Sequence, residues 1–338
     1  MKHIIFGGDG FLGTELTKKL IAKGQQVLIC DLNRTESSEI YRSDLVTHVR
    51  MDVTEKSEFS KVAIEPDDVP YHFAARLLVP ILPRRERKDY FWKALYVGTE
   101  NVLSFLEENK VHRMIYYTTD MVYGHTLHNP RFEDHPREPL GPYGEAKLQT
   151  EFLCESYREK GFNITIFRPR LIIGPGRLGI LEKLFKLIDH NLPVPTIGNG
   201  KNYYQFISVS DCADATICAV EKGFPNAEYN LGSLNPPTVN QLLRGLIKRA
   251  NSKSFLVPTP AFLVKAVLDV FDRIGFPIMD PEQYLIADET CVLDVSRGER
   301  ELGWVPKDSD EAMLIAAYES YHSSRSNQAS ADMNNQTS

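Results

Sequence analysis

The sequence predicts an α/β fold: a doubly wound parallel sheet with a smaller, mostly helical region laid over it. Three observations carry this prediction. The chain opens on a short apolar run (Ile4, Ile5, Phe6) that ends in glycines at Gly7, Gly10 and Gly13 and passes into a helical pattern (Leu12, Leu16, Leu20, Ile21). A second apolar run, 27–30, ends in Asp31, eighteen residues after Gly13. Short apolar runs then keep alternating with helical patterns as far as residue 168, the signature of parallel strands joined by helices.

The strand, glycine turn and helix at 2–13 form a cradle for a pyrophosphate. Gly7 permits the tight turn, Gly10 lets the backbone approach the phosphates, and Gly13 lets helix and strand pack closely. Phe11 and Leu12 follow the turn as further candidate cofactor contacts, and the free N–H groups at the start of the helix present partial positive charge to an anion. Asp31 then stands where a carboxylate binds the adenosine ribose hydroxyls of a dinucleotide, with Asn33 and Arg34 just beyond. This favours NAD, because Asp31 repels a 2′-phosphate; Arg34 offsets part of that repulsion, so NADP stays open.

A third strand at 47–51 closes on Asp52 and Val53, where an acidic side chain reaches the adenine edge. The fourth, 71–75, carries Phe73, Ala74 and Ala75, small enough at its end for the chain to pass the cofactor closely. An irregular segment at 77–83 precedes the cations Arg84, Arg85, Arg87 and Lys88, which read as a solvated helix start or an anion-facing loop. A helix at 91–108, a strand at 112–119, a helix at 143–160 and a strand at 164–168 complete the region 1–170.

Proline and glycine become frequent past Arg168 and Pro169, and helical patterns at 181–190, 211–221 and 239–250 mark a substrate-binding region, 171–322, over the carboxyl ends of the strands. A later strand can return to the main sheet. Residues 260–274 place Lys265, Asp269, Asp272 and Arg273 on one polar stripe, with Phe262, Leu263, Ala266, Val267, Val270 and Phe271 as the remainder. That pattern predicts a packed surface helix; a peripheral membrane contact and a lid over an apolar substrate are its alternatives. The Ser-, Asn- and Gln-rich stretch 323–338 is expected to be disordered.

Composition narrows the class. A chain of 338 residues, 42% hydrophobic and 25% charged, can bury a sizeable core. A net charge of −6 gives no general attraction to nucleic acid. The five cysteines form no Cys-x-x-Cys pair, so neither a zinc site nor a disulfide frame is expected. The start runs directly into a strand, and no apolar run is long enough for a bilayer, so a cytoplasmic protein is expected.

The chemistry is expected at Tyr143 and Lys147. Four apart on a helix, they project from one face. A phenol titrates near pH 10 and is a poor base at neutral pH, but an adjacent ammonium stabilises the phenolate. Tyr143 can then take a proton from a substrate hydroxyl. A third hydroxyl comes from Thr119, at the end of the fifth strand; its neighbour Thr118 points to the opposite face.

These motifs together resemble the extended short-chain dehydrogenase/reductases, the group of nucleotide-sugar epimerases and dehydratases. The likeness covers residues 1–306. It rests on Gly7/Gly10/Gly13, Asp31, Asp52-Val53, His72 to Ala75, Gly98-Thr99 with Asn101, Thr119 with Val122-Tyr123-Gly124, and Tyr143/Lys147. It continues through Arg168-Pro169, Gly174-Pro175-Gly176, Phe206 to Asp211, Asn230-Leu231-Gly232 and Leu302-Gly303-Trp304. The resemblance implies a Rossmann fold, a tightly held NAD(P), a Thr119–Tyr143–Lys147 triad and a homodimer. Thr118, Arg168 and Pro169 join the implied cofactor contacts, and Leu77, Asp120, Met121, Arg170, Arg177 and Tyr204 the implied substrate contacts.

Departures point to the reaction. Family 4,6-dehydratases carry Thr-Asp-Glu after the fifth strand, and sugar-acid decarboxylases resemble a pattern with Glu at the same last place; this chain has Thr119-Asp120-Met121. Met121 cannot transfer a proton. Epimerases need no such acid, because hydride leaves a ring carbon and returns to the other face. Leu171 replaces an asparagine that holds diphosphate, and Tyr204 replaces an arginine. Arg170 and Arg177 stand as substitutes, or Arg170 as a structural ion pair. The expected activity is an NAD-dependent nucleotide-sugar epimerase supplying polysaccharide precursors. The alternative is an NAD(P)-dependent dehydrogenase or reductase of an apolar hydroxy or keto substrate, similar to 3β-hydroxysteroid dehydrogenases.

Overall fold

A computed structural model describes residues 1–76, 78, 81–176 and 181–336 of the chain. Strand β1 (His3–Phe6) feeds through the glycine turn into α1 (Phe11–Ala22), followed by β2 (Val27–Asp31), β3 (Val46–Arg50) and β4 (Val69–His72). Helices α2 (Arg84–Phe91) and α3 (Gly98–Glu108) are one continuous helical run joined by a π turn at Trp92–Val97. Next come β5 (Arg113–Tyr117), α4 (Pro142–Glu159) and β6 (Asn163–Pro169).

Beyond β6 the chain makes β7 (Leu171–Ile173), α5 (Leu181–Asp189), β8 (Val194–Ile197), β9 (Phe206–Ser208) and α6 (Val209–Glu221). It continues as β10 (Glu228–Leu231), α7 (Val239–Arg249), β11 (Leu256–Thr259), α8 (Ala261–Arg273), the single turn α9 (Pro281–Tyr284) and α10 (Asp310–Gln336). The main sheet is parallel and seven-stranded, in the order β10-β6-β5-β4-β1-β2-β3. Thus β10 returns to it beside β6, and the chain crosses between its two regions more than once.

The pleat explains the core. Ile5, Ile29, Tyr71 and Phe167 pack on one face with α1 and α6, while Ile4, Phe6, Leu28, Tyr116 and Ile166 pack on the other with α3 and α4. Strand order reverses between β1 and β4, which opens a crevice at their carboxyl ends. A separate core joins α5, α7 and α10 through Phe185, Leu242, Leu246, Met313, Leu314 and Ala317. Two short parallel pairs, β7–β9 and β8–β11, flank it where the sequence pattern predicts no strands. Anchored this way, the backbone of α10 stays helical past Ser323 to Gln336, where composition predicts disorder; propagation of a nucleated helix costs little.

Helix α8 reverses the expected orientation. Asp272, read as part of the polar stripe of a packed surface helix, is buried and paired with Arg87 of α2, while Phe262, Leu263, Val267 and Val270 face solvent. Arg87 is therefore neither solvated nor anion-facing: its guanidinium is held by Asp272 and by the carbonyl of Leu82 at 2.8 Å.

Candidate active site

The switch point between β1 and β4 holds a groove of about 390 Å³. Its floor is the glycine turn. Gly7 has φ +86°, and a Cβ there would come within 2.4 Å of the Ala74 nitrogen, so only glycine lets the end of β1 pass the chain leaving β4. A Cβ on Gly13 would meet the Gly7 carbonyl at 2.6 Å, which is the close helix–turn packing expected of it. Gly10 caps α1 without a side-chain acceptor, leaving the first N–H groups of the helix available to an anion.

Gly7, Gly10, Asp31, Asn33, Asp52, Val53, Phe73, Ala74 and Ala75 all line this groove. Asp31 accepts hydrogen bonds from the N–H groups of Asn33 (3.0 Å) and Asp9 (3.1 Å), and burial raises its carboxyl above the usual range. Arg34 lies over the Tyr41 ring, 4.9 Å from its centre, with the exposed Glu36 carboxylate 3.6 Å away. Leu12 is buried in the core, and Phe11 packs towards Gly174. The spacing gave no sign of Tyr90, Lys93 and Ala94, which also line the groove; the π turn, a feature common at functional sites, brings the last two there.

Thr119 follows β5, and Tyr143 and Lys147 lie one turn apart on α4, each less than a tenth exposed. Thr119 caps the turn after β5, its Oγ1 accepting from the Met121 N–H at 3.3 Å. The Tyr143 ring packs edge-on to Phe91 and in one cluster with Met121. Lys147 donates to the Tyr117 carbonyl at 2.8 Å and to the Tyr116 hydroxyl at 3.3 Å. Burial lowers its ammonium to about 8, with Glu151 opposing the shift. His72 stacks on Tyr116 nearby, but burial, then the Lys147 charge, lowers it to about 3, so it stays neutral. Thr118 sits behind, buried, its Oγ1 without a partner among the described residues.

Two arginine expectations are settled by their partners. The guanidinium of Arg168 is bound to both oxygens of Glu151 (3.0 and 2.7 Å), the Tyr123 hydroxyl and the Glu133 carbonyl, so it is a core tie and not a cofactor contact. Its neighbour Pro169 ends β6. Arg170 pairs with Asp120 at 2.8 Å and lies over the Tyr204 ring, which resolves its two readings in favour of the structural ion pair. That pair also removes Asp120 from the free acids of the site. Leu77 and Arg177 lie outside the described residues.

Sequence reasoning missed Glu282. Helix α4 starts at Gly141, which has no side chain to cap it, and the Glu282 carboxylate takes that role from the far region. Its Oε1 accepts from the Tyr143 N–H at 2.7 Å and its Oε2 from the Gly144 N–H at 2.8 Å. Burial, then the charge of Asp280, raises Glu282 to about 7. No local signal could have found it, although the uncapped Gly141-Pro142 start implied that something must satisfy these donors.

Comparison with known proteins agrees with this geometry. The model of the NAD dependent epimerase/dehydratase family matches residues 3–232. An uncharacterized protein of Sinorhizobium fredii, y4nG, is 29% identical over 95% of this chain and 79% of its own length. Human dTDP-D-glucose 4,6-dehydratase is 27% identical over 74% of this chain and 75% of its own. Among solved structures, the UDP-glucose 4-epimerase of Thermotoga maritima with UDP-glucose superposes with a TM-score of 0.76 at 25% identity, covering 96% of this chain and 99% of that one.

Proposed function

The chain belongs to the NAD-dependent epimerase/dehydratase family, and from that premise we propose that it is a nucleotide-sugar epimerase working through a transient keto sugar. The choice of reaction rests on Met121. Elimination of water needs an acid beside the triad, and among the described residues none stands free there. Met121 is apolar, Asp120 is paired with Arg170, and the Glu282 oxygens accept from backbone N–H groups. A redox-neutral inversion needs no such acid.

The groove suits NAD: the uncapped start of α1 for the pyrophosphate, Asp31 for the adenosine ribose diol, and Ala74 and Ala75 for close passage. When bound, NAD supplies a reversible hydride acceptor for a sugar carbon. The protein's own part is proton management. The Tyr143 phenolate oxygen takes the proton of the sugar hydroxyl as the ketone forms and returns it afterwards. Lys147, fixed by the Tyr117 carbonyl, keeps a positive charge beside β5 that favours the phenolate. Thr119 orients the same hydroxyl. A cytoplasmic homodimer supplying precursors of surface polysaccharide is the setting that this reading expects.

The test is incubation of purified protein with UDP-, GDP- and dTDP-sugars, uronic acids included, with product chromatography and absorbance at the reduced-nicotinamide band. A new sugar isomer without lasting absorbance change is expected. Net turnover of reduced cofactor would make the protein a dehydrogenase or reductase instead. A dehydrated or decarboxylated product would overturn the weight given to Met121.

A further inference from the structure

Helix α8 turns Lys265 and Asp272 inward and leaves most of its apolar residues outside. Asp272 pairs with Arg87, and Lys265 donates to the Leu285 carbonyl at 2.6 Å and pairs with Asp288. The outward side carries Phe262 (77% exposed), Leu263 (52%), Val270 (55%) and Ile274 (59%), and the turn beyond adds Phe276 at 71%. Positions 263, 267, 270 and 274 form one row at helical spacing, so this is a contiguous face and not scattered exposure.

The charges around the face run against those of the chain. Net charge is −6, yet exposed cations outnumber exposed acids on α8 and the helices beside it. Lys183 donates to the carbonyl of Ile278 at 3.2 Å. Arg273 lies on α8 itself, and Arg84, Arg85 and Lys88 are exposed within one turn of Arg87, which is locked to Asp272. Against these five cations stand Asp269, paired with Arg273, and Glu86, beside Arg85. Asp89 of the same helix faces the cofactor groove instead.

We propose that α8 docks the protein on an anionic lipid surface, with Phe262 and Phe276 entering the boundary between headgroups and acyl chains. A short helix with aromatic and aliphatic residues on one side and cations at its border has the composition of an interfacial anchor. Each rim lysine or arginine adds attraction to anionic headgroups. A second copy of the chain fits less well, because a two-fold contact through this face would set one basic rim against another. Arg87 also lies 3.8 Å from Asp280, two residues before Glu282, so the buried side of α8 adjoins the capped start of α4. Docking by α8 holds whichever reaction the site performs.

The test is co-sedimentation of the full chain with vesicles of phosphatidylcholine alone or mixed equally with phosphatidylglycerol. At least about tenfold more protein should pellet with the mixed vesicles, and high salt should reverse it. The doubly substituted Phe262→Asp/Phe276→Asp chain should stay in the supernatant while keeping its melting temperature, since both side chains are exposed. Equal pelleting of the parent and doubly substituted chains would overturn the proposal, and so would equal pelleting with both vesicle types. A dimer in light scattering that the two substitutions dissociate would assign the face to a second copy and overturn it as well.

Discussion

Glu282 reaches back 139 residues along the chain to accept the backbone N–H of Tyr143 at 2.7 Å, so the helix carrying the proposed catalytic pair is capped from the opposite region. Its burial sets a pH signature. The carboxyl titrates at about 7 in the folded protein, above its value in an unfolded chain. The folded state therefore binds the extra proton between those values, and stability falls as pH rises through that window, by on the order of 1–3 kcal/mol. Glu282→Gln cannot titrate. Urea unfolding of both proteins should show the parent's advantage over the variant shrinking from about pH 5 to about pH 8. Parallel curves would remove this account of Glu282.

How much of this was legible beforehand depended on sequence distance. The glycine turn, Asp31 and the Tyr143–Lys147 spacing are local, and local geometry follows from backbone sterics and helical period. Thr119 was read from its place at the end of the fifth strand, which is again a local feature. The cap at Glu282, the Asp120–Arg170 pair and the Arg87–Asp272 pair join residues 139, 50 and 185 positions apart, and no periodicity encodes such partners. Helix α8 makes the point most plainly. Spacing grouped its faces only in part: Asp272 turns inward with Leu268 while Asp269 and Arg273 of the same stripe stay at the surface, and the inward turn of Asp272 depended on Arg87, far away in α2.

Lys147 yields opposite trends for activity and stability. Its ammonium titrates at about 8, below the unfolded value near 10.4, so stability rises with pH between them while the charge that favours a Tyr143 phenolate is lost. Turnover should fall as pH passes about 8. Lys147→Met should keep or raise the melting temperature and lower kcat by about 100-fold or more. A matching loss of both would mean that the lysine is structural.

Cofactor choice rests on Asp31. Its carboxylate lines the groove at the end of β2, while Arg34 is engaged by Glu36 and Tyr41. Asp31→Ala should weaken NAD binding by about tenfold, the equivalent of about 1.4 kcal/mol, and narrow the preference over NADP. Titration of cofactor against the protein's fluorescence measures both. Unchanged NAD affinity would place the ribose contact elsewhere.

Asp120 and Arg170 form an unequal partnership, and their substitutions should differ accordingly. The Asp120 carboxylate lies 2.8 Å from Arg170 and 3.9 Å from Arg131, all three side chains buried. Arg170 Nε and Arg131 Nη1 have no other partner among the described residues. One carboxylate thus serves two guanidinium groups. Asp120→Asn leaves both cations buried without a counter-charge and should cost about 3–5 kcal/mol. Arg170→Met leaves Asp120 beside Arg131 and should cost clearly less. The double substitution should regain part of what Asp120→Asn loses, because it removes one uncompensated charge. Chemical denaturation of the three variants decides this. Equal losses from both single substitutions would mean that Arg131 does not share the carboxylate. Because Thr119 adjoins Asp120 in the chain, loosening this cluster should also raise KM for the sugar before it changes the type of product formed.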